Sequence, residues 1–206
     1  MESSNQQEYD EYKTFAFHPH NVLLFLMLFG ITVLFLSLTI AFVYNRVQNE
    51  LPPIRLPWIF LGSTMILLGG SYTMISARKA YLQDNTLRYQ DMLKWTLILS
   101  LIFLVAQAVG WWDLFRQNIF LQTDNSAAYL YVLSGLHFAH VIAGLPFLGA
   151  FLKAARKHMK EPVSVLVYFS DPEKKLKLRL LTIYWHFLDI LWIYLVVFFA
   201  INAVLG

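Results

Sequence analysis

The sequence predicts an all-α polytopic membrane protein, a bundle of five transmembrane helices with its N-terminus inside and its C-terminus outside. Three observations predict it. Of 206 residues, 58% are hydrophobic and 14% charged, where soluble domains carry about 25% charged residues. Five apolar runs each reach the roughly 20 residues a helix needs to cross the hydrocarbon. If those runs alternate in direction, thirteen of the sixteen Lys and Arg residues fall on one side, which basic residues mark as the cytoplasmic one.

The elements follow in order. Residues 1–20, MESSNQQEYDEYKTFAFHPH, hold four acids and one lysine and read as a polar cytoplasmic tail. The first span is expected over 21–44. It is too long for a signal peptide, lacks a basic flank before it, and has no small-residue cleavage site after it. LPPIRLP then stops one helix and starts the next, expected over 56–77 with Trp58 at the interface. The third span, 92–115, closes on Trp111 and Trp112 beside Asp113, an aromatic belt. The fourth covers 127–151 and the fifth 180–205, with a strongly basic loop between them. Lipid offers backbone groups no water, so each run must close its own hydrogen bonds as a helix. Residues 21–206 therefore read as one membrane domain, and the absence of an internal repeat leaves an inverted-repeat transporter without support.

The net charge of +3 does not point to nucleic acid. The basic cluster from Lys153 to Arg179 has no soluble domain to carry it, and topology together with anionic headgroups accounts for it. The sequence has no cysteine, which excludes disulfides, thiolate metal sites and iron–sulfur clusters.

Ionisable groups at membrane depth are costly and should face protein and find partners. They gather late in the chain. SGLHFAHVIAG holds His137 and His140, and YWHFLDILWIY holds His186 and Asp189. Each pair is three residues apart and so shares a helix face. Counting 1.5 Å per residue from the inner helix ends brings Asp189 level with His140 and leaves His137 farther out. Gly135, Ala139 and Ala143 recur every fourth position, and Ser63, Gly70 and Ala77 every seventh, a spacing for close helix packing. Two readings of the four ionisable residues stand. One is ligation of a metal or of a single bis-histidine haem, as in a b-type cytochrome; the other is a hydrogen-bonded cluster that locks two helices. The spacing favours the cluster. A proton channel wants a continuous polar lane, and the expected polar groups occupy only the inner half of the last two spans.

These two stretches resemble subunit III of the haem–copper oxidases. The family carries Gly-x-His-x-x-His-Val-x-x-Gly and then Trp-His-Phe-x-Asp-x-x-Trp in its last two helices. Here the first is Gly135, His137, His140, Val141 and Gly144, and the second Trp185, His186, Phe187, Asp189 and Trp192. Five spans match the short bacterial form, which lacks the first two of seven helices. Two departures stand out: many members have a glutamate where Gly30 or Ile31 falls, and Ala139 precedes His140 where Gly is usual. The resemblance implies a non-catalytic subunit of a proton-pumping cytochrome c oxidase in a bacterial inner membrane. It would pack beside subunits I and II, which hold the haem and copper, with a larger respiratory supercomplex as a further partner. The chain itself would hold no haem or metal, bind phospholipid, and support proton uptake. Its four ionisable residues would form a structural polar cluster. Subunit III of a ubiquinol oxidase, or a related subunit associated with nitric oxide reductase, fits the same motifs.

Overall fold

The computed structural model describes residues 19–49, 53, 56–159 and 162–204, and all its described elements are helices. In chain order these are α1 (Pro19–Asn49), α2 (Trp58–Leu82), α3 (Thr86–Arg116), α4 (Asn125–His158), α5 (Pro162–Ser170) and α6 (Pro172–Val204). The polar tail expected over 1–20 lies almost wholly outside the described residues. All but α5 are long and apolar enough to cross a membrane, with lengths of 31, 25, 31, 34 and 33 residues. The five expected spans are thus present.

Each helix outruns its expected span on at least one side. Hydropathy registers only the segment that lipid must solvate, whereas a helix continues until its end groups are capped. At the start of α3, Asn85 Oδ1 accepts from the Arg88 amide at 3.1 Å, and at the start of α4 Asp124 Oδ1 accepts from the Ala127 amide at 2.6 Å. Asp171 Oδ1 accepts from the Glu173 amide at 2.9 Å as α6 begins. These side chains supply acceptors to first-turn amides that have no partner within the helix. Pro19, Pro162 and Pro172 each stand first in a helix, where the missing N–H costs nothing.

The chain divides into two units, residues 1–37 and 38–206. In the first, α1 runs through its apolar sequence with Thr32 Oγ1 bonded back to the Leu28 carbonyl at 2.8 Å. Phe25 and Phe29 stack with centroids 6.5 Å apart. Leu23, Phe25, Leu26 and Phe29 are exposed, a surface suited to acyl chains.

In the second unit α2 packs on α3, α3 on α4, α4 on α6 and α6 on α2, which closes a four-helix ring. The α2–α3 pair has a heptad seam. Buried residues recur as Phe60, Ser63, Leu67, Gly70, Met74, Ala77 and Tyr81 on α2, and as Tyr89, Leu93, Thr96, Ser100, Phe103, Gln107, Gly110 and Leu114 on α3. Alternating steps of three and four keep one seam facing its partner. Along it Gln107 Nε2 donates to Ser63 Oγ at 3.0 Å, and the Thr73 and Thr96 hydroxyls meet at 2.9 Å. Gly110 lies under the Phe60 ring and Ile59. The end of α1 joins the same unit: Arg46 Nη1 donates to both the backbone and side-chain oxygens of Asn202 at 2.7 Å, and Asn45 Nδ2 donates to Tyr129 Oη at 2.9 Å.

At one end of the ring the segment read as a basic loop contains α5. Its Tyr168 backbone carbonyl accepts from Tyr81 Oη at 3.1 Å, and Tyr168 and Phe169 pack against Tyr81 and Tyr89. Lys174 Nζ sits 4.4 Å above the Tyr168 ring, a cation–π contact. Burial pushes the Tyr168 phenol upward.

Candidate functional site

The ring brings the two motif helices, α4 and α6, side by side. His137 is fully buried. Its Nε2 lies 3.1 Å from the Leu188 carbonyl on α6, so the proton belongs on Nε2 and the lone pair on Nδ1. The ring is 4.9 Å from Trp192 and edge-on to Phe103 at 5.7 Å, centroid to centroid. His140, one turn on, donates from Nδ1 to the Leu136 carbonyl of its own helix at 2.6 Å. Its own carbonyl accepts from Tyr184 Oη at 2.7 Å.

Gly144 explains the motif's second glycine. A Cβ there would stand 2.9 Å from both Trp185 Cζ3 and Tyr184 Cε1, closer than side-chain carbons approach. Gly135 is different, with nothing within 4 Å of a Cβ. Val141 and Trp185 are buried, and Phe187 is half-buried. Trp192 is the hub, fully buried, with Phe60 at 5.4 Å and Phe103 at 5.3 Å.

His186 and Asp189 share a face of α6, as three-residue spacing requires. Depth counting puts Asp189 beside His140, yet its neighbour is His186 on its own helix, Nδ1 to Oδ2 3.6 Å. Depth along two helices leaves out their rotation, and rotation decides which faces meet. The same Nδ1 lies 2.9 Å from Ser71 Oγ on α2. A serine, a histidine and an aspartate thus converge, but not as a proton relay. A relay needs the serine on one ring nitrogen and the carboxylate on the other; here both crowd Nδ1, where one proton serves both. Asp189 is 6% exposed.

Among the described residues, no group of three or more His, Asp or Glu side chains converges as a metal site requires. Ser71 escaped the sequence reading, although its neighbour Gly70 belongs to the small-residue stripe. The buried polar side chains Thr96, Ser100 and Gln107 escaped it too, and Ser63 reads there only as a small packing residue. Polar interior groups are not confined to the last two spans. Trp111, expected in an interfacial belt, donates from Nε1 to Ser134 Oγ on α4 at 3.0 Å, while Trp112 is exposed.

The family model described as cytochrome c oxidase subunit III matches residues 14–203. The chain belongs to the cytochrome c oxidase subunit III family. Cytochrome c oxidase subunit 3 of a Synechocystis species is 28% identical over 175 residues, covering 82% of this chain and 70% of the relative. The same subunit of Corynebacterium diphtheriae is 26% identical over 131 residues, 63% of this chain and 58% of the relative. Cytochrome bo(3) ubiquinol oxidase subunit 3 of Buchnera aphidicola is 24% identical over 186 residues, 89% of this chain and 88% of the relative. The match thus spans little more than half of one cytochrome c oxidase relative and nearly all of the ubiquinol oxidase one.

Proposed function

We propose that the chain is a non-catalytic subunit of a proton-pumping cytochrome c oxidase, stabilising subunit I, binding phospholipid and supporting proton uptake in aerobic respiration. One observation carries the reading. The family match runs through both motif helices, and there the motif side chains are engaged in packing: His137 with the Leu188 carbonyl, Gly144 beneath Trp185, Trp192 among Phe60 and Phe103. His137, His140, His186 and Asp189 act as structural polar residues. Subunits I and II, which hold the haem and copper, are the partners. Exposed Leu23, Phe25 and Phe29 on α1 support contact with phospholipid. The distribution of Lys and Arg supports an N-terminus inside and a C-terminus outside, and bacterial relatives support the bacterial inner membrane.

The test is affinity purification of the tagged chain from native membranes, with mass spectrometry of the copurifying subunits and haem typing. Copurification with haem-bearing subunit I supports the reading; purification without any oxidase subunit overturns it. A second reading, subunit III of a ubiquinol oxidase, is favoured by the near-complete mutual coverage with the Buchnera relative. The copurifying subunit II separates the two, because a cytochrome c oxidase carries a copper-binding cysteine motif there.

A further inference from the structure

Asp189 Oδ2 is buried without a hydrogen-bond partner, and His186 Nδ1 stands at 3.6 Å. A carboxylate left so at membrane depth is costly. Beside it α2, α3, α4 and α6 leave a cavity of about 20 Å³ whose walls include Gly70, Leu99, Ser100, Phe103, Trp185 and Asp189. One water requires about 10–15 Å³ by this measure, so the space takes a single molecule. Two of the walls are polar. Ser100 Oγ donates to the Thr96 carbonyl at 2.7 Å, which commits its proton and leaves its lone pairs free to accept.

We propose that this cavity is a hydration site, in which one water molecule donates one hydrogen to the Asp189 carboxylate and the other to the Ser100 hydroxyl. Donor and acceptor inventories match: the carboxylate and the committed hydroxyl can only accept, and water supplies two protons. Purely apolar cavities of this kind stay dry, but this one has a carboxylate in its wall. A divalent cation is a poorer fit, since calcium and magnesium take six or more oxygen ligands. The water gives Asp189 a hydrogen bond. It also adds a polar tie between α6 and α3, which the Trp192–Phe103 contact joins through apolar rings alone.

The test turns on Gly70. A Cβ there meets only Leu99 Cβ, at 3.9 Å, so alanine fits against its neighbours and extends into the space. The full chain, with its accompanying subunits in lipid nanodiscs, is compared by thermal melting as wild type, Gly70→Ala and Gly70→Ser. In a dry cavity alanine fills a void and the melting temperature rises or stays. In a hydrated one alanine expels the water and the melting temperature falls, while serine, whose hydroxyl replaces the water, recovers most of the loss. Infrared spectra recorded in water and in oxygen-18 water add a direct readout: an isotope-sensitive O–H stretch present in wild type and absent from Gly70→Ala. A rise or no change with alanine overturns the proposal. So does an equal fall with serine, or the lack of any isotope-sensitive band that Gly70→Ala removes.

Discussion

His137 on α4 donates a hydrogen bond from Nε2–H to the carbonyl of Leu188 on α6, 3.1 Å away. That carbonyl lies one helical turn before Trp192, whose ring packs against the same imidazole. The histidine thus reads backbone position and ring position together, which a purely apolar residue at 137 cannot do. His137→Leu keeps the volume roughly and loses the bond. Interhelical hydrogen bonds in membranes are worth about 0.6–2 kcal/mol, so the variant should lose about 1 kcal/mol. Thermal release of the subunit from the complex measures it; His137→Gln, which retains an N–H donor, should lose less.

The two motif glycines should behave oppositely. Gly144→Ala forces a methyl against Trp185 and Tyr184, and overpacking of this kind costs about 1–3 kcal/mol. Gly135→Ala meets nothing within 4 Å and should leave stability unchanged or raise it by up to about 1 kcal/mol, because alanine is the better helix former. Equal melting temperatures for the two variants would contradict the close packing at Gly144.

Asp189→Ala takes the carboxylate away from His186 Nδ1, which is half-buried and keeps its contact with Ser71, so the loss should lie near the low end of about 1–3 kcal/mol. The subunit should leave the complex in mild detergent while subunit I keeps its haem. Ser71→Ala should weaken the same cluster, and because both side chains address one ring nitrogen, the two losses should not add. A double variant whose loss equals the sum of the singles would show that the residues act independently.

Acid should weaken the entry of α6. Asp171 caps the helix and pairs with Lys174 at 3.1 Å, and the hydrogen bond from Lys174 holds its carboxyl below the ordinary value. A depressed folded pKa gives stability that is present above the unfolded value, about pH 4, and is lost as the pH falls through the folded one. Asp171→Asn keeps a capping oxygen but cannot titrate. Melting curves of wild type and variant should therefore differ at neutral pH and converge in acid.

Removing the whole chain should leave the initial rate of oxygen reduction by the catalytic subunits largely intact and shorten their working life. Oxygen consumption followed over many turnovers measures both. Immediate loss of activity, with haem and copper still in place, would make the chain a participant in the chemistry.

The five spans were legible because lipid imposes one solution on any long apolar run. The shared face of His186 and Asp189 was legible too, since helical spacing alone determines it. The partner of Asp189 was not: axial depth follows from counting residues, but the facing surfaces depend on how each helix is rotated by packing. Ser71, Thr96 and Gln107 were hidden because a small polar residue in an apolar helix reads the same whether it packs, bonds its own backbone or bonds a neighbour. The nine-residue α5 was missed because it is too short to cross a membrane and is flanked by lysines that suggest a loop.

The ring has a consequence for how the protein is made. Membrane helices are delivered to the bilayer in order of synthesis, and α6 is the last of those described. Until it arrives, Ser71 on α2 lacks His186, His137 on α4 lacks the Leu188 carbonyl, and Arg46 at the end of α1 lacks Asn202. Three earlier spans therefore wait in lipid with polar groups unmatched, and one late insertion satisfies them together. A polypeptide that stopped short of α6 would keep those groups without these partners. Bonds from α1, α2 and α4 therefore close only when α6 is in place.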